Sequence, residues 1–198
     1  YALGQYLDWS GDDDLFFQGG AQALVETARF WVSRYSPAPE PGKANLLFCK
    51  GPDEYCGITS NNLFTNAMVQ HNLSLACSAA ERLKREAPDQ YAAMGLSKEE
   101  LAGWKSLRNA IQLPRDPATG HYRQDDTFHL LEPVDPAQLK SGDEASYHQV
   151  CFDRLQRYKV IKQADALLLM TRLPEQFTRE EKLAAWEDFE PLCLHDST

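Results

Sequence analysis

Asn62–Glu86, NLFTNAMVQHNLSLACSAAERLKRE, is the longest uninterrupted helical pattern in the chain. Leu63, Ala67, Met68, Leu73, Ala76, Ala80 and Leu83 recur three and four residues apart, which predicts one long helix with a single apolar face. Such a face needs other helices to cover it. Upstream, Tyr1–Trp9 reads as a helix. A second helix is predicted from Asp12 to about Tyr35, its start charged by Asp12–Asp14, with Gly19-Gly20 as a candidate site of close packing. Downstream, Pro88–Met94 gives a short helix. Ser97-Lys98-Glu99-Glu100 is a capping box that opens a helix through Ile111. Further helices are predicted over Ser146 to about Val160 and from near Gln163 to before Pro174. Thr178-Arg179-Glu180-Glu181 is a second capping box, opening a helix to about Phe189. Between them lie a proline-rich loop (Ser36–Lys43), a short apolar run that suits a strand or hairpin arm (Asn45–Lys50), the turn-rich Gly51–Asn62, and an irregular aromatic stretch (Pro114–Asp135). Seven or eight helices without repeated strands make an all-α pattern.

The 198 residues can bury a sizeable core, and 43% hydrophobic with 25% charged residues is an ordinary globular composition. The apolar run at Ala164–Met170 is short and contains Asp165, so no stretch reaches the roughly 18–20 residues of a membrane span. A net charge of −9, with bases and acids intermixed, argues against a nucleic-acid partner. Five cysteines, without CxxC or CxxH spacing, argue against a disulfide framework or a zinc site; they read as buried small hydrophobes in a reducing, cytoplasmic setting. His71, His121, His129 and His148 lack metal partners at helical spacing. Tyr1–Trp9 has no signal-peptide character, and both ends read as cuts through a larger protein.

Four stretches stand out chemically. Gly51-Pro52-Asp53-Glu54-Tyr55 places two carboxylates in a turn before Asn61-Asn62. It is either a turn leading to a helix cap or a carboxyl group held over a pocket, its pKa raised beside Tyr55 so that it acts as a general acid. Lys162-Gln163-Ala164-Asp165 lies at a helix boundary. It offers N–H donors suited to a hydroxylated ligand, or else solvated side chains with Asp165 as a first-turn charge. His195-Asp196-Ser197-Thr198 has hydroxyls that suit an oxyanion. Arg34 reads as a helix-end charge, whereas Arg29 stays open.

Taken together, the chain resembles glycoside hydrolase family 65. The resemblance rests on Glu26–Trp31, Gly51–Tyr55, Asn61–Asn66, Gln124–Phe128, Lys162–Asp165 and His195–Ser197, which occur in the family's order at similar intervals. It implies that residues 1–198 are part of an (α/α)6-barrel catalytic domain, with the rest of the barrel and flanking β-rich domains outside this chain. It also implies inverting phosphorolysis of an α-linked glucose disaccharide or glucoside to β-glucose 1-phosphate. Glu54 then matches the general acid, Lys162 and Gln163 the residues that grip the glucosyl unit, and Ser197 and Thr198 the start of the phosphate-binding segment. Asp53, Tyr55, Asn61 and Asn62 become loop supports or site walls. Inorganic phosphate is the co-substrate, no metal or organic cofactor is implied, and the full-length protein is expected to be a homodimer. Cys56, Leu63-Phe64 and Gln124–Phe128 depart from the family pattern at the acceptor side. Two other readings stand beside this one. An inverting α-glucoside hydrolase needs a second carboxylate to activate water. An inactive helical fragment is expected if this piece stands alone.

Overall fold

The computed structural model describes residues 1–139 and 150–195. Helices dominate, in two compact units. One comprises Tyr1–Asn45 with Ala67–Gln112, the other Leu46–Asn66 with the chain from Leu113 onward.

In the first unit, α1 (Ala2–Ser10) ends on Gly11 at φ 63, a left-handed helix stop that glycine adopts freely. Asp12 Oδ1 then accepts the Asp14 N–H at 2.9 Å. The continuous helix expected from Asp12 to Tyr35 is broken: a widened turn at Phe16–Gly20 precedes α2 (Ala21–Arg34). Gly19 sits at φ 123, and a Cβ on Gly20 would lie 2.7 Å from the Leu15 carbonyl oxygen. The glycine pair therefore makes a kink, because only residues without a Cβ fit both positions.

The quoted stretch forms α3 (Leu63–Glu86). Leu73, Ala76, Ala79 and Leu83 from it join Leu24, Val25, Ala28 of α2 and Trp104 in one buried cluster. Val69 rather than Met68 completes the buried face. The short α4 (Pro88–Ala93) is followed by α5 (Lys98–Ala110), where Ser97 Oγ accepts the Glu100 N–H at 3.0 Å. The Glu100 carboxylate is committed to Arg29, with Nε–Oε1 at 2.8 Å and Nη2–Oε2 at 3.2 Å. Arg29 also reaches the Met94 carbonyl, so it ties three helices together. Strands β1 (Ser36–Pro37) and β2 (Ala44–Asn45) pair antiparallel. The strand stops at Asn45 instead of running to Lys50.

In the second unit, Phe48 takes φ 54, Cys49 bridges to Thr59, and Leu46 is fixed by Asn61. The helix expected over Ser146 to Val160 falls partly outside the described residues. Within them it is a single turn, α6 (Phe152–Leu155). The chain then leaves the helix because Arg157 and Lys159 exchange backbone hydrogen bonds with Glu132. Helix α7 (Asp165–Arg172) and helix α8 (Arg179–Phe189) follow as expected, α8 with its full Thr178–Glu181 capping box. Tyr55, Leu139, Leu155, Val160 and Leu194 form a buried cluster. The cysteines are not the buried hydrophobes expected: Cys151 is exposed, and Cys49, Cys56, Cys77 and Cys193 are half-buried free thiols. No helix among the described residues is long and apolar enough to cross a membrane.

Candidate functional site

Two short segments meet in the second unit. Gly51–Tyr55 is a turn without strand or helix partners of its own. Ile161–Gln163 leads directly into α7 and is held by Ile161, whose N–H donates to Leu192 O and whose carbonyl accepts the Leu194 N–H. Three buried polar residues join them. Asp165 Oδ1 accepts the Asp53 N–H at 2.8 Å, while Asp165 Oδ2 accepts from Asn62 Nδ2 at 2.6 Å. Asp53 Oδ1 accepts the Tyr55 N–H at 3.1 Å and the Lys162 N–H at 3.0 Å. Asp53 Oδ2 accepts from Gln124 Nε2 at 3.2 Å. Asn62 in turn caps α3: its Oδ1 accepts from the Thr65 N–H and hydroxyl. Gly51 packs so closely here that a Cβ would lie 2.8 Å from Asn62 Cγ and closer still to Asp165 Oδ2.

On the open side of this joint stand the residues singled out in the sequence. Glu54 Oε2 lies 2.5 Å from Lys162 Nζ and accepts from Gln163 Nε2 at 3.0 Å. The Gln163 Oε1 accepts the Glu54 N–H at 3.1 Å, so the pair is bonded in both directions. Lys162 is not a solvated side chain; only 16% of it is exposed, against 55% for Glu54. Asp165 is not a solvated first-turn charge either, being 1% exposed. Ser197 and Thr198 lie outside the described residues, as does Asp196; His195, at φ 51, is the last described residue.

The electrostatics reverse one expectation. Burial beside Tyr55 does not raise the Glu54 carboxyl; hydrogen bonds from Lys162 and Gln163 hold it below the usual carboxylate range, because its oxygens face solvent and two donors. The raised carboxyls are the ones underneath. Desolvation pushes Asp53 up and Asp165 up to about 7, the Asp53 charge adding to the latter. Cys56 is pushed up to about 12 by burial and by Asp125, so it stays a neutral thiol at physiological pH.

The folded chain thus binds a proton at Asp165 more tightly than the unfolded chain does. That contribution to stability is full below about pH 4, shrinks as pH rises toward 7, and is flat above. In urea titrations, the stability of the wild type relative to Asp165→Asn is expected to decline from pH 4 to 7. A difference that stays level across that window contradicts the assignment.

A polar cavity of about 250 Å³ opens elsewhere in the same unit, lined among others by Asp116, His121, Arg123, His129, Lys159 and Asp188. Glu54, Lys162 and Gln163 are not among its walls, and four of its polar side chains already bond in pairs, Arg123 with Asp116 and His121 with Asp188. The sequence reading missed Asp165 and Gln124 as interior groups. An acid at the first position of a helix looks solvated by default; the only local sign was its position two residues beyond a donor-rich pair.

The sequence profile of the glycosyl hydrolase family 65 central catalytic domain matches residues 1–198. The chain belongs to glycosyl hydrolase family 65. Among family relatives, an α,α-trehalose phosphorylase of Thermoanaerobacter brockii is 32% identical over 203 residues, covering 100% of this chain and 26% of the relative. A kojibiose phosphorylase of Halothermothrix orenii is 30% identical over 202 residues, again covering 100% of this chain and 26% of the relative. A solved structure described as a putative kojibiose phosphorylase from human microbiome superposes with a TM-score of 0.86 at 26% identity, over 100% of this chain and 27% of that one. This family 65 chain therefore spans about a quarter of the length of its curated relatives. Glu54, Lys162 and Gln163 sit in the part shared with them.

Proposed function

We propose that the protein containing this chain carries out inverting phosphorolysis of an α-linked glucose disaccharide or glucoside, releasing β-glucose 1-phosphate and a sugar or polyol. The observation that carries this reading is the convergence of Glu54 with Lys162 and Gln163, from segments 109 residues apart, into one solvent-facing cluster. Lys162 and Gln163 hold the glucosyl hydroxyls, and Glu54 protonates the glycosidic oxygen as the bond breaks. Phosphate, held at Ser197 and Thr198, attacks C1 from the opposite face. The segments belong to an (α/α)6 barrel completed by chain outside these residues, in a cytoplasmic homodimer that needs no further cofactor.

Glu54 must carry a proton for this role, and in the free site Lys162 opposes that. Bound sugar supplies the change. Its hydroxyls take up the donors of Lys162 and Gln163, and its ring shields the carboxyl from water. Both effects raise the Glu54 pKa. Substrate binding and protonation of the acid are then linked.

The two buried acids beside Glu54 do not supply a base for water. A hydrolase of this stereochemistry needs a second carboxylate facing the substrate as base. Asp53 and Asp165 are buried and occupied as acceptors of backbone and amide N–H groups. The test is product release by the full-length protein from a panel of α-linked disaccharides, with and without inorganic phosphate. β-Glucose 1-phosphate, formed only with phosphate and identified by the anomeric proton, is expected. Free glucose at the same rate without phosphate replaces this reading with hydrolysis.

A further inference from the structure

We infer that Asp165 is a positioning residue for Glu54, acting through the Asp53 backbone, and that it does so only with both of its oxygens serving as acceptors. The inference rests on the reading of Glu54 as the acid.

The Glu54 backbone has no strand or helix to fix it. The N–H of the residue before it, Asp53, is held by one buried bond, to Asp165 Oδ1. The other Asp165 oxygen accepts from Asn62 Nδ2, and Asn62 cannot reverse its amide, because Asn62 Oδ1 is occupied by the Thr65 N–H and hydroxyl. Both partners of Asp165 are therefore fixed donors. An amide at this position presents an NH2 group to one of them, and two buried donors then face each other. That is the costly case for a buried polar group.

Asp53 has a more forgiving set of partners. Its Oδ1 accepts two backbone N–H groups, and its Oδ2 accepts from Gln124 Nε2. Gln124 Oε1 is buried without a hydrogen-bond partner. In Asp53→Asn, the Gln124 amide can turn over and offer that oxygen to the new NH2 group. Two adjacent buried acids in one network therefore differ in tolerance, for a reason that burial alone does not give.

Loosening also has a direction. Lys162–Gln163 keeps its anchor through Ile161, whose bonds to Leu192 and Leu194 do not involve Asp165. The Gly51–Tyr55 turn loses the bond on its Asp53 N–H and is left with its contacts to Lys162, Gln163 and Gln124. Losing Asp165 should therefore harm proton delivery more than sugar binding.

The experiment uses the full-length protein and two substrates, an α-linked disaccharide and α-glucosyl fluoride, whose leaving group needs little protonation. Asp165→Asn is expected to lower disaccharide turnover by about 10²-fold, as small misplacements of a reacting group do. Fluoride turnover should fall at least roughly tenfold less. Amide exchange across Gly51–Tyr55, read by mass spectrometry, should quicken by roughly tenfold or more. Asp53→Asn should lose less than Asp165→Asn on each measure. The decisive variant is the exchange of the two partners, Asn62→Asp with Asp165→Asn. The carboxylate now at position 62 then accepts from Thr65 and from the amide now at position 165. The oxygen of that amide still accepts the Asp53 N–H. The double variant should regain most of the lost turnover and the slow exchange.

Equal losses on both substrates, unchanged exchange in Asp165→Asn, or no recovery in the swapped pair each overturn the inference. If Asp165→Asn does not accumulate, the swapped pair judges it alone: near-normal exchange supports it and failure to fold overturns it. Should the wild type turn over no α-glucoside, the reading of Glu54 fails by itself, and the exchange data still decide whether Asp165 clamps the turn.

Discussion

Glu54→Gln in the full-length protein is expected to slow cleavage of an α-linked disaccharide by roughly 10² or more, while cleavage of glucosyl fluoride falls far less. The substitution keeps the shape of the side chain and its bond with Gln163, and removes the proton. A sugar alkoxide is a poor leaving group and depends on that proton; fluoride departs with little help. The Lys162–Glu54 ion pair is also lost, but a pair with Glu54 this exposed adds little to stability, so the fold should be unaffected. Replacing Lys162 with Met should produce the contrasting pattern, a raised KM on both substrates, because under the proposed assignment it removes a sugar contact and leaves the acid. Near-normal disaccharide turnover in Glu54→Gln would end the assignment of this loop as the source of the acid.

Gly51→Ala should be the most damaging of the glycine-to-alanine changes among the described residues of the second unit. A Cβ there lies 2.8 Å from Asn62 Cγ and closer still to Asn62 Nδ2 and Asp165 Oδ2. None of these is the loose end of a flexible chain: the Asp165 and Asn62 head groups are pinned by hydrogen bonds from four sides. Relief requires backbone movement or rupture of the Asp165–Asn62 bond, which together cost about 3 kcal/mol or more. For a domain of this size that is a drop of roughly 6–12 °C in the thermal midpoint. Activity should fall with it, since the displaced atoms hold the Glu54 turn. Scanning calorimetry with the midpoint within about 1 °C of wild type would show that the joint is looser than its geometry implies.

Much of this was legible in the residues, and the reasons are specific. The long α3 helix carried its own periodicity; α8 uses its capping box as read, whereas α5 uses only the Ser97 half, its Glu100 carboxylate being taken by Arg29. Local signals of that kind need no tertiary information. The break at Gly19 was marked by the glycine pair, but its meaning depended on a positive φ and on the Leu15 carbonyl. The lost helix after Cys151 was decided by pairing with Glu132, some twenty-five residues earlier and invisible to periodicity. At the site, Glu54, Lys162 and Gln163 were legible by resemblance. The depressed pKa of Glu54 was not, because it follows from a contact between distant segments. Asp165 was misread for the same reason: its burial is created by Gly51, Asp53 and Asn62, none of which is its neighbour in sequence.

The bond between Asp53 and Asp165 closes a loop of 112 residues. During synthesis the Gly51–Tyr55 turn is made first, and the groups that hold its Asp53 and Glu54 N–H, Asp165 and Gln163, are still to be translated. At about 5–20 residues per second, the wait is on the order of ten seconds. Throughout it, the first unit's segments around α3 and α5 can already pack, since their partners lie close in sequence, whereas the Glu54 turn still lacks its bonds to Lys162, Gln163 and Asp165. The order of events on the ribosome is therefore scaffold first and acid last, and a nascent chain halted before Asp165 carries every atom of the Glu54 side chain without the means to aim it.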